Sequence, residues 1–406
     1  MKIALITDRL FVPEPTDAYP GDPSRRVLSL ARALAEHDQE VTVYARRESA
    51  ARGRAARFPG VSVELVEAGP RRPLSGEMLL PHIALFADQL ADRWRREAPD
   101  VVHAFLWTGG VAAVAGARGL GIPVAVSLSS LTADAPPGRR RKAAGPAGNG
   151  ARKRMEASLV RSAQVVLADG TDEAASLGRL AASPQGTPSA SIKVVPPGVD
   201  TGVFRPDGPA ARRGDRPRLL VVAPPGDQPE LATVLRALTQ LPDPELVVAG
   251  GPARSRLRRD PGYRALTGLA RRLGVAGRVT CIGAVRETDM PGLMRAADVL
   301  VHLTADRGSA TVPVEAMACG TPVIAAAAGP MPDAVIHDNT GFLVPPDSPA
   351  QLVHRIRQLL ANPMLLEGYG IAAAIRARDR FSWQRIGPET LAVYEALRGP
   401  LMPAAA

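Results

Sequence analysis

Short apolar runs alternate along the chain with longer amphipathic stretches. The first run covers residues 3–7, a helical pattern follows at 24–36, and a second apolar run covers 41–45. Strands that are apolar throughout and separated by helices are typical of parallel sheets covered on both faces. The pattern therefore predicts an α/β fold with doubly wound parallel sheets.

The same alternation continues along most of the chain. The predicted strands are 3–7, 41–45, 61–66, 100–104, 123–128, 164–168, 191–195, 219–223, 245–249, 279–283, 297–304, 323–324 and 341–344, and the predicted helices are 24–36, 79–96, 109–118, 155–163, 172–180, 230–240, 258–273, 288–296, 312–319 and 348–360. A polar stretch rich in proline, glycine and arginine separates two similar halves. We predict two domains, 1–197 and 218–383, joined by a hinge at 198–217.

One stretch, 297–324, reads as strand, polar loop, helix and strand. Pro313 suits the first turn of a helix and Gly320 the position after its end, which predicts a helix over 312–319. Its amino end would lie at the carboxyl edge of the sheet, where α/β sheets bind ligands and helix N–H groups favour phosphate. Glu315 would then either complement the helix dipole in the first turn or face a ligand. A capping box requires Ser or Thr three residues earlier, and that residue is a valine.

Composition narrows the range of partners. The 406 residues include 50 Lys and Arg against 40 Asp and Glu, a net charge of +10. This balance suits nucleotides, phosphates or a membrane surface, although chains rich in arginine and alanine reach it without a binding role. Aromatic residues make up only 4% and do not alternate with basic ones. We therefore expect no nucleic-acid partner.

Cysteine usage and the amino terminus suggest the compartment. Cys281 and Cys319 lie in apolar contexts, which predicts buried thiols rather than a disulfide or a metal site. The apolar start at 1–7 is too short for a signal sequence, and no run approaches the length of a membrane span. The sequence thus predicts a cytoplasmic protein without a bound metal.

A basic segment at 139–154 interrupts the regular pattern. It contains seven basic residues and no acid, joined by a spacer of small residues. It could be a mobile loop that contacts an anionic substrate or lipid headgroups, or a solvated insertion without such a role. Arg154, at its end, is a candidate for the acceptor or phosphate side of a site.

Five further motifs point to a known family. They are the starting segment 1–45, DVVHA at 100–104, IKVVPPGVD at 192–200 followed by FRP at 204–206, EAMACGTPV at 315–323, and NTGFLVPP at 339–346. Together they resemble glycosyltransferase family 4, the retaining, nucleotide-sugar-dependent enzymes with two Rossmann-like domains in the GT-B fold. The closing FSW at 381–383 and Tyr394 resemble the end of such chains. This resemblance implies that the last helix, 384–398, packs back on the first domain.

The resemblance also implies roles for single residues. Glu315 matches the glutamate that hydrogen-bonds the donor ribose. We assign Ala310, Thr311 and Val312, at the amino end of the same helix, and Val285 to the donor site as well. His103 keeps its motif position and is a candidate for catalysis, although a single histidine at a strand end is more often structural.

Other positions depart from the family pattern on the donor side. The carboxylate expected eight residues before Glu315 falls on Arg307, a second catalytic candidate. The arginine and lysine that neutralise the donor diphosphate fall on Pro224 and Pro229. Loss of such a cationic contact typically costs a few kcal/mol of transition-state stabilisation.

The first domain departs from the pattern as well. The glycine pair that lets the backbone approach donor and acceptor reads Gly21–Asp22, and the histidine expected near the donor sugar aligns with Ser129. Two functions remain open. One is a metal-independent, retaining transferase that moves a sugar from a nucleotide-sugar to a hydroxyl acceptor without a cofactor. The other is a catalytically silent homologue that binds a protein partner or senses a metabolite. A sugar-nucleotide epimerase is disfavoured because the chain shows no acid/base residues for it beyond His103.

Overall fold

The computed structural model describes residues 1–8, 23–48, 59–74, 76–128, 131, 148–182, 190–226, 229–304 and 309–398. These residues form two compact units. The first contains the described chain up to Gly198 and again from Trp383, and the second runs from Val199 to Ser382. The segment 199–217, which the sequence analysis assigns to a hinge, therefore belongs to the second unit.

The first unit is built around a seven-stranded sheet. Its strand order is β3-β2-β1-β4-β5-β6-β7, and all pairs are parallel. The elements are β1 (Lys2–Thr7), α1 (Pro23–Ala35), β2 (Glu40–Arg46), β3 (Val61–Val66), α2 (Gly76–Leu79), α3 (Ile83–Arg96), β4 (Val101–Phe105), α4 (Leu106–Gly116), β5 (Val124–Ser127), α5 (Gly148–Ser162), β6 (Val165–Ala168), α6 (Thr171–Ala181) and β7 (Ser191–Val194), with the carboxyl-terminal helix Trp383–Arg398 packed on α1.

The second unit is built around a six-stranded sheet. Its order is β10-β9-β8-β11-β12-β13, again with parallel pairs only. The elements are β8 (Arg218–Val222), α7 (Pro229–Thr239), β9 (Glu245–Ala249), α8 (Pro261–Arg272), β10 (Val279–Gly283), α9 (Met290–Arg295), β11 (Val299–His302), α10 (Thr311–Ala318), β12 (Val323–Ala326), α11 (Met331–Ala334), β13 (Gly341–Val344), α12 (Pro349–Leu360) and α13 (Pro363–Phe381); the helix that follows, Trp383–Arg398, is α14. The predicted fold class is confirmed.

Each sheet has a core on both faces. In the first unit the adjacent residues Leu5 and Ile6 lie in different hydrophobic clusters, one on each side of the sheet. Leu220 and Val221 do the same in the second unit. Each such buried side chain contributes roughly 1.5–3 kcal/mol relative to an exposed one. This two-sided burial explains why the central strands are largely apolar, whereas the edge strands β3 and β7 also have polar and exposed positions.

The ends of α10 follow from its sequence. Pro313 lies in the first turn, and Gly320, just after the helix, has a φ of +77°. A Cβ at Gly370 on α13 would collide with the carbonyl of Gly320, so small residues allow α10 and α13 to approach closely. The predicted helix is confirmed, but it begins at Thr311. Glu315 therefore lies in the second turn, not in the first as predicted.

Three sequence predictions need correction. Helix α3 begins at Ile83 rather than 79, because Pro81 lies in a separate 3₁₀ turn before it. The long helix α13 was not predicted, since its alanines and two glycines give little periodic pattern. Residues 152–154 of the basic segment lie in α5 and not in a mobile loop. Residues 139–147 of that segment lie outside the described part of the chain.

None of the helices in the described ranges has both the length and the apolar character that crossing a membrane requires.

Candidate functional site

In both sheets the strand order reverses near the centre. The reversal lies between β1 and β4 in the first unit and between β8 and β11 in the second. Open parallel sheets bind ligands outside the carboxyl ends of the strands at such a reversal. In each unit we define an edge as the connections that follow the carboxyl ends of the strands, together with the first two turns of the helices to which they lead. The edge of the first unit is called the first edge, and that of the second unit the second edge.

Helix α10 begins at the second edge. Ala310 is its N-cap and has no side chain that could cap the helix. The hydroxyl oxygens of Ser309 and Thr311 are 2.6 Å apart, and Thr311 N donates to Ser309 Oγ at 3.3 Å. Pro313 has no N–H, so fewer backbone donors than usual remain at this helix terminus. Val312, the last of the predicted residues here, is 5% exposed.

Two carboxylates are buried near this reversal. Glu315 is 4% exposed on α10, and Glu230 is 8% exposed in the first turn of α7. The hydroxyl of Thr304, just after β11, contacts Glu230 Oε1 at 3.5 Å, the outer limit for a hydrogen bond. The sequence analysis identified Glu315 but missed Glu230. The sequence did contain a signal for Glu230, because an acidic residue follows a proline at the start of a predicted helix.

The connection after β9, also at the second edge, begins with a tight backbone turn. Gly250 and Gly251 have φ values of +126° and +88°, and a Cβ at Gly251 would lie 2.5 Å from Pro225 Cδ. Pro224 is half-buried beside this turn, whereas Pro229 is exposed at the start of α7. Val285 is also half-buried, in the connection after β10. Arg307 and its neighbour Asp306 lie outside the described residues.

The charged side chains of the first edge already form hydrogen bonds or ion pairs within the protein. Thr108 donates to Asp8 Oδ2 at 2.5 Å, and Arg26 forms an ion pair with Asp169. Asp169 N in turn donates to Glu173 Oε2 at 2.7 Å. All three carboxylates are less than a tenth exposed, and the sequence analysis missed them. Asp8 and Asp169 each directly follow a buried strand, a signal that could have identified them.

His103 lies inside the first unit, on β4. It is 2% exposed, and its ring nitrogens form hydrogen bonds with Tyr394 Oη at 2.5 Å and Ser127 Oγ at 2.9 Å. Burial, with a smaller effect of the Arg26 charge, lowers the pKa of His103 to about 3. A neutral ring that joins α14 to the sheet is a structural arrangement. The catalytic role suggested for His103 stays a prediction.

Of the remaining predicted residues, the structure describes only Arg154. Gly21, Asp22 and Ser129 lie outside the described residues. Arg154 is exposed on α5, whereas its neighbour Arg152 donates to the buried Glu156 at 2.8 Å.

Neither cysteine has the environment of a reactive thiol. Burial raises the pKa of Cys281 to about 11 and that of Cys319 to about 12, so both thiols are protonated at neutral pH. Across the described ranges, no group of three His, Cys, Asp or Glu side chains could hold a metal ion.

Comparison with family models divides the chain at about the same place as the structure does. Residues 23–203 match the model described as Glycosyltransferase Family 4, and residues 210–376 match the model described as Glycosyl transferases group 1.

Curated relatives match nearly the whole chain. A D-inositol 3-phosphate glycosyltransferase of Streptomyces bingchenggensis is 32% identical over 98% of this chain and 89% of its own length. The protein of that name from Mycobacterium bovis is 33% identical over 98% of this chain and 83% of its own length.

Solved structures share the fold. Sucrose-phosphate synthase of Thermosynechococcus elongatus superposes with a TM-score of 0.82 at 23% identity, covering 98% of both chains. Anabaena HepE, in complex with UDP-glucose, superposes with a TM-score of 0.70 at 19% identity, covering 98% of this chain and 100% of its own. These two similarities concern the architecture alone.

Proposed function

Because this chain belongs to glycosyltransferase family 4 and is a glycosyltransferase, we propose that it transfers a sugar from a nucleotide-sugar donor to a hydroxyl acceptor with retention and without a metal. The donor nucleotide binds at the second edge. Glu315 accepts hydrogen bonds from the donor ribose, and the amino end of α10 faces a phosphate. The acceptor binds at the first edge.

The observation that carries this proposal is the position of Glu315. It is a carboxylate on the helix that begins at the strand-order reversal, and it is 4% exposed. A carboxylate at this place suits the two adjacent hydroxyls of a ribose, because each can donate one hydrogen bond. The solved structure of HepE with UDP-glucose supports a nucleotide-sugar donor for this fold.

The first test is binding. We expect UDP, GDP or ADP at millimolar concentration to raise the melting temperature by several degrees, since a ligand at a hundred times its dissociation constant adds about 2.7 kcal/mol of stability. Calorimetry then compares Glu315→Ala with Glu367→Ala, which removes an exposed carboxylate in the same unit. Glu315→Ala should lower the affinity for the preferred nucleotide by about 1–3 kcal/mol. Equal affinity of the two variants would refute the assignment of Glu315.

The second test is turnover. The protein is incubated with the preferred nucleotide-sugar, a panel of polyol and sugar-phosphate acceptors that includes inositol 3-phosphate, and EDTA. We expect release of the nucleoside diphosphate and a product whose anomeric configuration, measured by NMR, equals that of the donor. An inverted anomer would contradict retention, and activity lost in EDTA would contradict metal independence. If no nucleotide binds and no acceptor reacts, the silent homologue becomes the better explanation.

A further inference from the structure

The second edge has an uneven distribution of cations. Its six strand-to-helix connections contain six arginines and no lysine. Four of these arginines lie in one connection, 250–260, between β9 and α8. Arg286 lies after β10, and Arg307 lies in the connection before α10. The connections after β8, β12 and β13 contain no cation at all.

The four arginines of the 250–260 connection also have no side-chain partner among the described residues. All four are exposed, and within the described ranges none forms an ion pair or a side-chain hydrogen bond; they are Arg254, Arg256, Arg258 and Arg259. By contrast, Arg286 donates twice to the carboxylate of Asp289, at 2.7 and 3.1 Å. Arg278 donates to three backbone carbonyls. The arginines of the 250–260 connection therefore remain available to an anion.

The backbone of this connection is held in place at several points. Gly250 N donates to Gly283 O at 2.8 Å, and Ala284 N donates to Pro252 O at 3.1 Å. Leu257 is 3% exposed, which anchors the segment in the core. The carboxylate of Asp260 accepts from Tyr263 N at 2.8 Å and caps α8. A fixed backbone reduces the entropy that these arginines would lose on binding.

The connection runs beside the connections after β8 and β10, and the latter contains the predicted donor residue Val285. Gly251 packs against Pro225, in the connection after β8, and a Cβ at Gly283 would lie 3.1 Å from Arg254 N. Val285 follows Gly283 by two residues. Arg254 follows β9, the strand that lies between β8 and β10 in the sheet, so its backbone belongs to the second edge.

The chemistry of a nucleoside diphosphate requires such cations. Its phosphates carry several negative charges, and the second edge already buries the carboxylates Glu230 and Glu315. A guanidinium group matches phosphate oxygens with paired N–H donors and always remains charged. We propose that the 250–260 connection binds the diphosphate of the donor through its unpaired arginines, with Arg254 as the main contact. This inference rests on the proposed function of the second edge.

The test compares two edges of the same sheet. Arg254→Ala/Arg256→Ala removes two charges from the second edge, and Arg271→Ala/Arg272→Ala removes two exposed charges from the end of α8, at the opposite edge. Calorimetry measures the affinities for UDP, GDP and ADP, for the parent nucleosides, and for inorganic pyrophosphate. All four arginines are exposed, so melting temperatures should stay close to that of the unmodified protein.

We expect Arg254→Ala/Arg256→Ala to weaken nucleoside diphosphate and pyrophosphate binding by about 10-fold to 100-fold, with nucleoside binding unchanged. The dependence of diphosphate affinity on salt should also become weaker, while the control pair leaves all affinities within about twofold. Diphosphate affinity that is equal in both pairs would overturn the inference. If Glu315→Ala weakens binding at the same time, the proposed function survives that result. If the unmodified protein binds no nucleotide and no pyrophosphate, both proposals fail.

Discussion

The two carboxyl edges of this protein hold their charges differently. At the first edge, Arg26 and Asp169 are paired with side chains 13% and 6% exposed, and Asp169 also donates its N–H to Glu173. At the second edge, Glu230 and Glu315 are buried, while the four arginines of the 250–260 connection are exposed and form no ion pair or side-chain hydrogen bond within the described chain. The first arrangement stabilises the fold, and the second leaves cations for a ligand.

The largest expected effect comes from breaking the charge pair of the first edge. In Asp169→Ala, Arg26 keeps its charge in a mostly buried position without its carboxylate partner. Removing one member of such a pair typically costs about 3–5 kcal/mol. Urea unfolding followed by tryptophan fluorescence measures the first unit specifically, because all three tryptophans lie there; they are Trp94, Trp107 and Trp383.

The matched control is Asp92→Ala. It removes one member of the Arg95–Asp92 pair, whose side chains are 61% and 54% exposed. Surface pairs of this kind contribute about 0–1 kcal/mol. Replacing both charges of the first edge, as Arg26→Met/Asp169→Leu, should recover most of the stability that Asp169→Ala loses. If the two single variants lose the same stability, the first edge does not depend on its ion pair.

A smaller loss of folding stability is expected when the pH is lowered. The folded-state pKa of His103 is lowered from 6.5 to about 3, so the unfolded chain binds a proton there before the folded chain does. The stabilisation is therefore complete above pH 6.5 and is lost as the pH falls toward 3. At pH 4.5 the loss should reach about 2–3 kcal/mol.

The control for this pH dependence uses two histidines of the first unit. His103→Gln should flatten the fall in stability between pH 6.5 and 4.5, whereas His37→Gln, at an exposed position, should not. The measurement is again urea unfolding followed by tryptophan fluorescence at each pH. An equally steep fall in both variants would show that other groups cause the acid sensitivity.

The second unit contains a similar group. His302, on β11, occupies the corresponding strand of the second sheet, and burial lowers its pKa to about 4.

Most of the fold could be predicted from the sequence. Strands such as β9 and β13 have the predicted bounds, because short apolar runs between turn residues leave few alternatives. Helix α13 was missed for the opposite reason. Its contact with α10 depends on close approach at Gly320 and Gly370, and this contact joins residues far apart in the chain.

The site was less predictable than the fold. Glu315 was identified because it lies in a motif, but its burial and its place in the second turn depend on where α10 begins. Glu230, Asp169 and the arginines of the 250–260 connection were not identified, since their roles depend on which strand ends lie next to each other. A single sequence shows the charges but not which of them are already paired.

The smallest expected effect tests whether the buried acids of the second edge oppose an anionic ligand. Glu230→Gln keeps the shape of the side chain and removes its charge. If a diphosphate binds at this edge, the loss of one buried negative charge should strengthen nucleoside diphosphate binding by about 1 kcal/mol, roughly fivefold, and leave nucleoside binding unchanged. Glu367→Gln, on the exposed face of α13, should change neither affinity. Calorimetry with UDP and uridine measures the difference. Weaker UDP binding in Glu230→Gln would instead show that Glu230 helps to bind the ligand. The buried acids and the exposed arginines of the second edge would then no longer have opposite effects on an anionic ligand.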